Sequence, residues 1–154
     1  MILGIDTSNY TTSISITDEE KNVIIDERIM LNVKNGERGL RQSEAFYQHV
    51  MQLPLLFKKI KDFPLSGISV SVTPRREAGS YMPCFKAGES FALVLSDMLN
   101  LPLIKTTHQE GHIESAVLAS QIDLEKFICV HLSGGTTEIP VSYTHLTLPT
   151  NREV

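Results

Sequence analysis

The rhythm of apolar and polar residues changes several times along the chain, and each change marks an element. Met1 to Asp6 is a short apolar run ending in an acid. Thr11 to Thr17 alternates Ser or Thr with Ile, the period of two expected of a half-buried strand. Between them Thr7-Ser8-Asn9-Tyr10 is turn chemistry. After the polar break from Asp18 to Asn22, Val23 to Leu31 reads as a further strand, so this opening region predicts a three-stranded meander.

Asn35-Gly36 marks a turn, and Leu40 to Ile60 then carries Ala45, Phe46, Val50, Leu53, Leu56, Phe57 and Ile60 at helical spacing. Ser43 is the expected N-cap of this helix, and Pro54 predicts a kink. Gly67 to Val72 is a buried-type strand, and Thr73 to Pro83 is an irregular charged loop. Lys86 to Leu99 predicts an amphipathic helix using Phe91, Val94, Leu95, Met98 and Leu99. Pro102 to Thr106 is the next strand, and a helix from Thr107 to Ser120 follows it. Phe127 to Leu132 is a last strand, running into Ser133-Gly134-Gly135-Thr136-Thr137.

Composition narrows the class without naming a function. With 154 residues, 42% hydrophobic and 21% charged, the chain suits one or two small globular domains. No apolar run approaches the ~20 residues of a membrane-spanning helix, and no signal-type segment opens the chain, so a cytoplasmic protein without membrane attachment is expected. The net charge of −4 gives no general basic footprint for nucleic acid. Lys58, Lys59 and Lys61, and separately Arg75 and Arg76, read as solvated surface. Cys84 and Cys129 form no disulfide or metal pattern and are expected to be buried free thiols.

Three stretches carry candidate chemistry. In His108-Gln109-Glu110-Gly111-His112, a helix starting near Thr107 would set both imidazoles on one face with Cβ atoms about 5–6 Å apart. That spacing suits two ligands of one ion, and it equally suits two incidental histidines at an exposed helix start. A zinc peptidase of the His-Glu-x-x-His type needs glutamate where this chain has Gln109. The pair follows the carboxyl end of a strand, where open α/β sheets place their ligands. Asp6 ends the first strand beside Thr7 and Ser8, a turn able to hold phosphate or a hydrated cation such as Mg²⁺, or simply a turn that favours these residues. Ser133 to Thr137 presents bare backbone and hydroxyls, a fit arrangement for cradling phosphate.

The element order is that of one lobe of a ribonuclease-H-like, actin-type ATPase fold followed by the start of its twin. Ile2-Leu3-Gly4-Ile5-Asp6-Thr7-Ser8, Gly88-Glu89-Ser90-Phe91-Ala92, Leu101-Pro102-Leu103-Ile104, His108 to His112 and Ser133 to Thr137 fall in the order found in the tRNA threonylcarbamoyladenosine transferase family. That family was long labelled O-sialoglycoprotein endopeptidase. The chain resembles it from Met1 to Ile139. The expected fold is therefore α/β, a mixed sheet with a three-stranded meander plus parallel strands and flanking helices. Residues 1–126 would form the first lobe, and 127–140 the first strand and phosphate-type turn of a truncated second lobe. From Val141 to Val154 the text resembles a translated sequencing-library adapter, so 141–154 is read as a non-native tail and His145 is not counted as a ligand.

The resemblance implies one divalent metal, Fe²⁺ or Zn²⁺, held by His108 and His112 with an aspartate from the second lobe. It implies that His131, Leu132, Ser133, Gly134 and Gly135 lie along ATP or threonylcarbamoyl-adenylate. It also implies transfer of the threonylcarbamoyl group to N6 of adenosine 37 in tRNA, the metal serving as Lewis acid and template, with no covalent protein nucleophile. Partners implied are tRNA, a fold-related subunit and a small ATPase of the same pathway. The chain by itself, with little of the second lobe, is expected to be inactive. Three departures point to a divergent paralogue: Ser8-Asn9-Tyr10-Thr11-Thr12 replaces Ser-Cys-Asp-Glu-Thr, Pro74 to Gly79 replaces a Gly-Pro-Gly loop, and Thr136 replaces a histidine. A non-catalytic partner subunit of the same fold is the alternative, disfavoured by the histidine pair. A metallopeptidase is disfavoured by Gln109 and by the lack of a positioned general base, and an acyl or sugar kinase is more remote.

Overall fold

In the computed structural model, which describes residues 1–33, 36, 39–120, 126–133, 136–143 and 150–151, strand alternation fixes the first sheet. Its order is β3-β2-β1-β4-β5, from β1 (Ile2–Asp6), β2 (Thr11–Thr17), β3 (Val23–Met30), β4 (Gly67–Thr73) and β5 (Leu103–Thr107). The meander β1-β2-β3 is antiparallel, and β4 and β5 join parallel to β1, which makes the sheet mixed as expected. Register sets Ile16, Leu3 and Ile68 in one row and Ile14, Ile5 and Val70 in the next. All six are buried, and burying each such side chain contributes about 1.5–3 kcal/mol before chain entropy is subtracted.

Helices α1 (Gln42–Phe57) and α2 (Phe85–Leu99) supply the rest of this core. Helix α1 starts after Arg41, whose extended backbone (φ −64°, ψ 145°) makes it the N-cap, and no side chain caps it. Ser43, the expected cap, therefore lies inside the first turn. The helix continues through Pro54, which has no N–H to offer the carbonyl one turn back, and ends at Phe57. Its buried stripe is Ala45, His49, Leu53 and Leu56, so a histidine sits where periodicity placed only apolar residues.

Helix α2 corrects the sequence reading more sharply. Phe91 and Leu95 pack against the core as expected, but Val94, Met98 and Leu99 are exposed, while Phe85, Ala87, Gly88 and Ala92 are buried. Small residues face the sheet because the helix axis comes close to it. A Cβ added to Gly88 would stand 2.9 Å from Thr7 Oγ1 and 3.3 Å from Ile5 Cγ2. Asn100, in the left-handed conformation, ends the helix, and Leu101 N–H donates back to the Ser96 carbonyl. An apolar cavity of about 310 Å³ lies among Leu3, Phe57, Ile60, Phe63, Leu95 and Leu101.

Two compact units divide the chain, Met1–His112 and Ile113–Val154. Helix α3 (His108–Ser120) spans their boundary. In the second unit the strand expected over Phe127–Leu132 is two, β6 (Lys126–Ile128) and β7 (His131–Ser133), both antiparallel to β8 (Thr136–Tyr143). The register is continuous across the break: Ile128 faces Val141 and His131 faces Glu138. Cys129 thus falls opposite Pro140, a residue with no N–H to give a ladder. Strand β8 runs past Pro140 into residues 141–143, and β9 (Thr150–Asn151) pairs with its other edge. Cys84 is a buried free thiol, whereas Cys129 is only half-buried. Among the described residues no helix is long and apolar enough to cross a membrane.

Candidate functional site

The carboxyl ends of β1 and β5 bring Asp6 and His108 together across 102 positions of sequence. Strand β5 ends at Thr107, and the chain turns directly into α3. Thr107 Oγ1 accepts the Glu110 N–H at 3.2 Å, and the Glu110 carboxylate accepts the Thr107 N–H at 2.8 Å. This reciprocal capping box satisfies two donors that a helix start otherwise leaves open. The Gln109 N–H donates to the Pro74 carbonyl at 3.1 Å. Glu110 is buried, and its second oxygen pairs with Arg76 Nε from the β4–α2 loop. Both the first turn of α3 and this loop are thereby tied to the end of the sheet.

With the helix so anchored, His108 and His112 lie on one face. Their Nε2 atoms are 2.8 Å apart, and the ring centroids are 4.3 Å apart at an interplanar angle of 75°. The buried Phe85 ring meets the edge of His108 at 6.3 Å. On its other side His108 Nδ1 lies 3.0 Å from Asp6 Oδ2. Asp6 Oδ1 accepts the Ser8 N–H at 2.7 Å. Burial pushes the Asp6 acid up, but the His108 bond and charge, with Ser71 and Ser8, outweigh it and bring its pKa down to about 2. Asp6 is therefore ionised at neutral pH.

Two imidazole nitrogens converging on one point are chemically suited to a borderline-soft divalent ion. Two ligands of a tetrahedral ion with metal–nitrogen bonds of 2.0–2.1 Å stand about 3.3 Å apart, so a metal would require the pair, hydrogen-bonded here at 2.8 Å, to open by about half an ångström. A carboxylate behind the first imidazole is the usual companion of such a ligand. Among the described residues no cluster of three His, Cys, Asp or Glu side chains is arranged to hold a metal ion. Gln109 is buried at the base of the helix, and its neutral amide cannot act as a general base.

The other residues singled out by sequence divide. Thr7, expected among the ligand-facing hydroxyls, is fully buried: its hydroxyl donates to the Cys84 carbonyl at 3.0 Å and accepts the Gly88 N–H at 3.1 Å. It bolts β1 to the start of α2. Ser8 is nearly buried and supplies its N–H to Asp6. The His131–Ser133 backbone forms β7. Gly134 and Gly135 lie outside the described residues, as do the side chains of His131, Leu132 and Ser133. Glu110 and Arg76 were missed as site residues. The signal for the first was present, since Thr107-x-x-Glu110 is a capping-box pattern; nothing local announces Arg76.

A separate buried network lies beside this end of the sheet. Gln52 Nε2 donates to the Met30 carbonyl at 3.3 Å, so its Oε1 faces Thr12 and accepts that hydroxyl at 2.6 Å. Thr12 Oγ1 then accepts from His49 Nδ1 at 2.7 Å. Burial pushes the His49 pKa down to about 4, opposed only in part by the Asn9 backbone and the Asp6 charge.

Comparison with known proteins agrees with the motif order. Over 147 residues, 90% of this chain, it is 32% identical to the tRNA N6-adenosine threonylcarbamoyltransferase of Thermosipho melanesiensis. Its curated relatives are tRNA N6-adenosine threonylcarbamoyltransferases. A second, from Francisella tularensis subsp. novicida, is 29% identical over 143 residues. The chain spans 43% of the length of each of these two relatives. No protein-family model matches it. Among solved structures, YeaZ from Pseudomonas aeruginosa superposes with TM-score 0.56 at 11% identity, covering 99% of this chain and 64% of that one. A ROK family protein from Streptococcus pneumoniae gives 0.58 at 20% identity, covering 98% and 48%. The Ppx/GppA family member from Aquifex aeolicus gives 0.52 at 20% identity, covering 97% and 50%. These likenesses establish the fold as the actin-like ATPase fold.

Proposed function

We propose that this chain carries the metal-binding lobe of an acyltransferase that places a threonylcarbamoyl group on N6 of an adenosine in tRNA, with His108 and His112 as two ligands of one divalent ion. The observation that supports it most is the convergence of the two Nε2 atoms at 2.8 Å, behind which Asp6 holds His108. Identity to the curated transferases over 90% of the chain supports the reaction class. A Zn²⁺ or Fe²⁺ ion there would supply Lewis acidity and a template for an acyl donor. The protein's own contribution is orientation: the capping box and Arg76 fix the helix start, Phe85 walls one side of His108, and Asp6 buttresses the other. On this reading residues 131–135 accompany ATP or threonylcarbamoyl-adenylate. A fold-related subunit and a small ATPase are the protein partners.

Elemental analysis of the purified chain after loading and desalting tests the metal half. We expect bound Zn²⁺ or Fe²⁺ in the wild type and a sharp loss in both His108→Ala and His112→Ala, because one imidazole makes a poor site. Unchanged stoichiometry in both variants refutes it. A hybrid in which residues 1–112 replace the matching part of a full-length relative tests the reaction half. It should restore threonylcarbamoyladenosine in the tRNA of cells lacking their own transferase, and His108→Ala in the hybrid should abolish this. A folded hybrid that restores none of the modified nucleoside refutes the substrate assignment.

A further inference from the structure

We infer that Asp6 is a positioning residue that fixes His108 as the Nδ1–H tautomer and so presents a bare Nε2 to an incoming cation. The inference rests on the metal-binding reading only for the use made of that nitrogen. An ionised carboxylate accepts hydrogen bonds and donates none. His108 Nδ1, 3.0 Å from Asp6 Oδ2, must therefore carry the hydrogen. In its neutral form, the only form able to hold a metal, the imidazole has one N–H, which leaves His108 Nε2 with its lone pair. That lone pair faces His112 Nε2 at 2.8 Å, so in the metal-free protein His112 is the donor and takes the Nε2–H form. The two rings thus take opposite tautomers across their shared contact.

The same contacts say what an isosteric replacement does. In Asp6→Asn the carbonyl oxygen is claimed by the Ser8 N–H, which now donates to Asp6 Oδ1 at 2.7 Å. The amide NH₂ is then left facing His108 Nδ1, which must accept. His108 is driven to the Nε2–H tautomer, its donor points at His112 Nε2, and His112 becomes Nδ1–H. Both tautomers invert, and the nitrogen proposed to hold the metal is blocked by a proton. The geometry of the site is otherwise preserved, which separates this role from simple packing.

Long-range ¹H–¹⁵N spectra of the imidazole rings near neutral pH read the tautomers directly, with His108→Gln and His112→Gln providing assignments. We expect His108 as Nδ1–H and His112 as Nε2–H in the wild type, with both reversed in Asp6→Asn at little cost in melting temperature. Zn²⁺ titration of the same proteins should show affinity reduced about 10–100-fold in Asp6→Asn, approaching that of His108→Ala. Asp6→Ala, which removes the acceptor, should give a mixture of tautomers in His108. Retention of the Nδ1–H form in a folded Asp6→Asn protein overturns the inference, as does wild-type Zn²⁺ affinity in that variant. Tautomers that invert as described in a chain that binds no Zn²⁺ would uphold the assignment of Asp6 and overturn the metal reading instead.

Discussion

Acidification should weaken the fold through His49 before Asp6 is protonated. Its ring is fully buried, it donates to Thr12, and its folded pKa of about 4 lies below the ordinary 6.5. In that window the unfolded chain binds the proton and the folded chain does not, so stability falls as pH falls from 6.5 toward 4 and is fully present above 6.5. A difference of one pKa unit between folded and unfolded chain is worth about 1.4 kcal/mol, and between about pH 7.5 and about pH 4.5 the loss comes to about 2.5 kcal/mol. That is a large part of the ~5–15 kcal/mol that holds a typical domain. Asp6, with its pKa near 2, contributes only below this range. Urea unfolding of the wild type and of His49→Phe, followed by circular dichroism across these pH values, isolates the effect as the difference between two curves. His49→Gln is the second variant should the larger ring disturb packing. The wild-type free energy should drop about 2.5 kcal/mol more than that of either variant; parallel pH profiles would refute the assignment.

Two further outcomes follow from the packing around the site. Gly88→Ala should lower stability by about 1–3 kcal/mol, because its Cβ would meet a Thr7 hydroxyl already pinned between Cys84 and Gly88, and α2 would have to shift off β1; a melting temperature equal to the wild type would contradict that close approach. Glu110→Ala should cost about 1–2 kcal/mol through loss of the reciprocal cap. It should also weaken Zn²⁺ binding although Glu110 is no ligand, and a titration curve like that of the wild type would show that the cap does not position the histidines.

What could be read from the sequence follows from how local each determinant is. The meander was legible because one face of β1 and β2 is buried, so Leu3, Ile5, Ile14 and Ile16 alternate with polar or small residues. The histidine pair was legible because its spacing is a property of any helix that starts at Thr107. Helix α2 misled because Val94 and Met98, apolar and at helical spacing, are exposed while Gly88 makes the close approach and Ala92 is buried. A sheet-facing stripe of small residues has little hydrophobic signal. His49 could not be read as core, since its burial depends on Thr12 and Gln52 supplying a path for its proton. The Asp6–His108 contact is set by parallel strand pairing through β4, and no periodicity carries that information.

That long separation also governs when the site can come into being. His108 and His112 are neighbours on any nascent helical turn, but Asp6 reaches His108 only after β1, β4 and β5 have paired, the parallel closures that make folding slow. Until then the imidazole tautomers are free and a cation meets two unordered rings. A metal added during refolding should therefore be captured late, in the phase in which the sheet closes, and its binding energy would then be added to the closed sheet rather than to the helix. Metal capture would serve as a clock for assembly of the sheet.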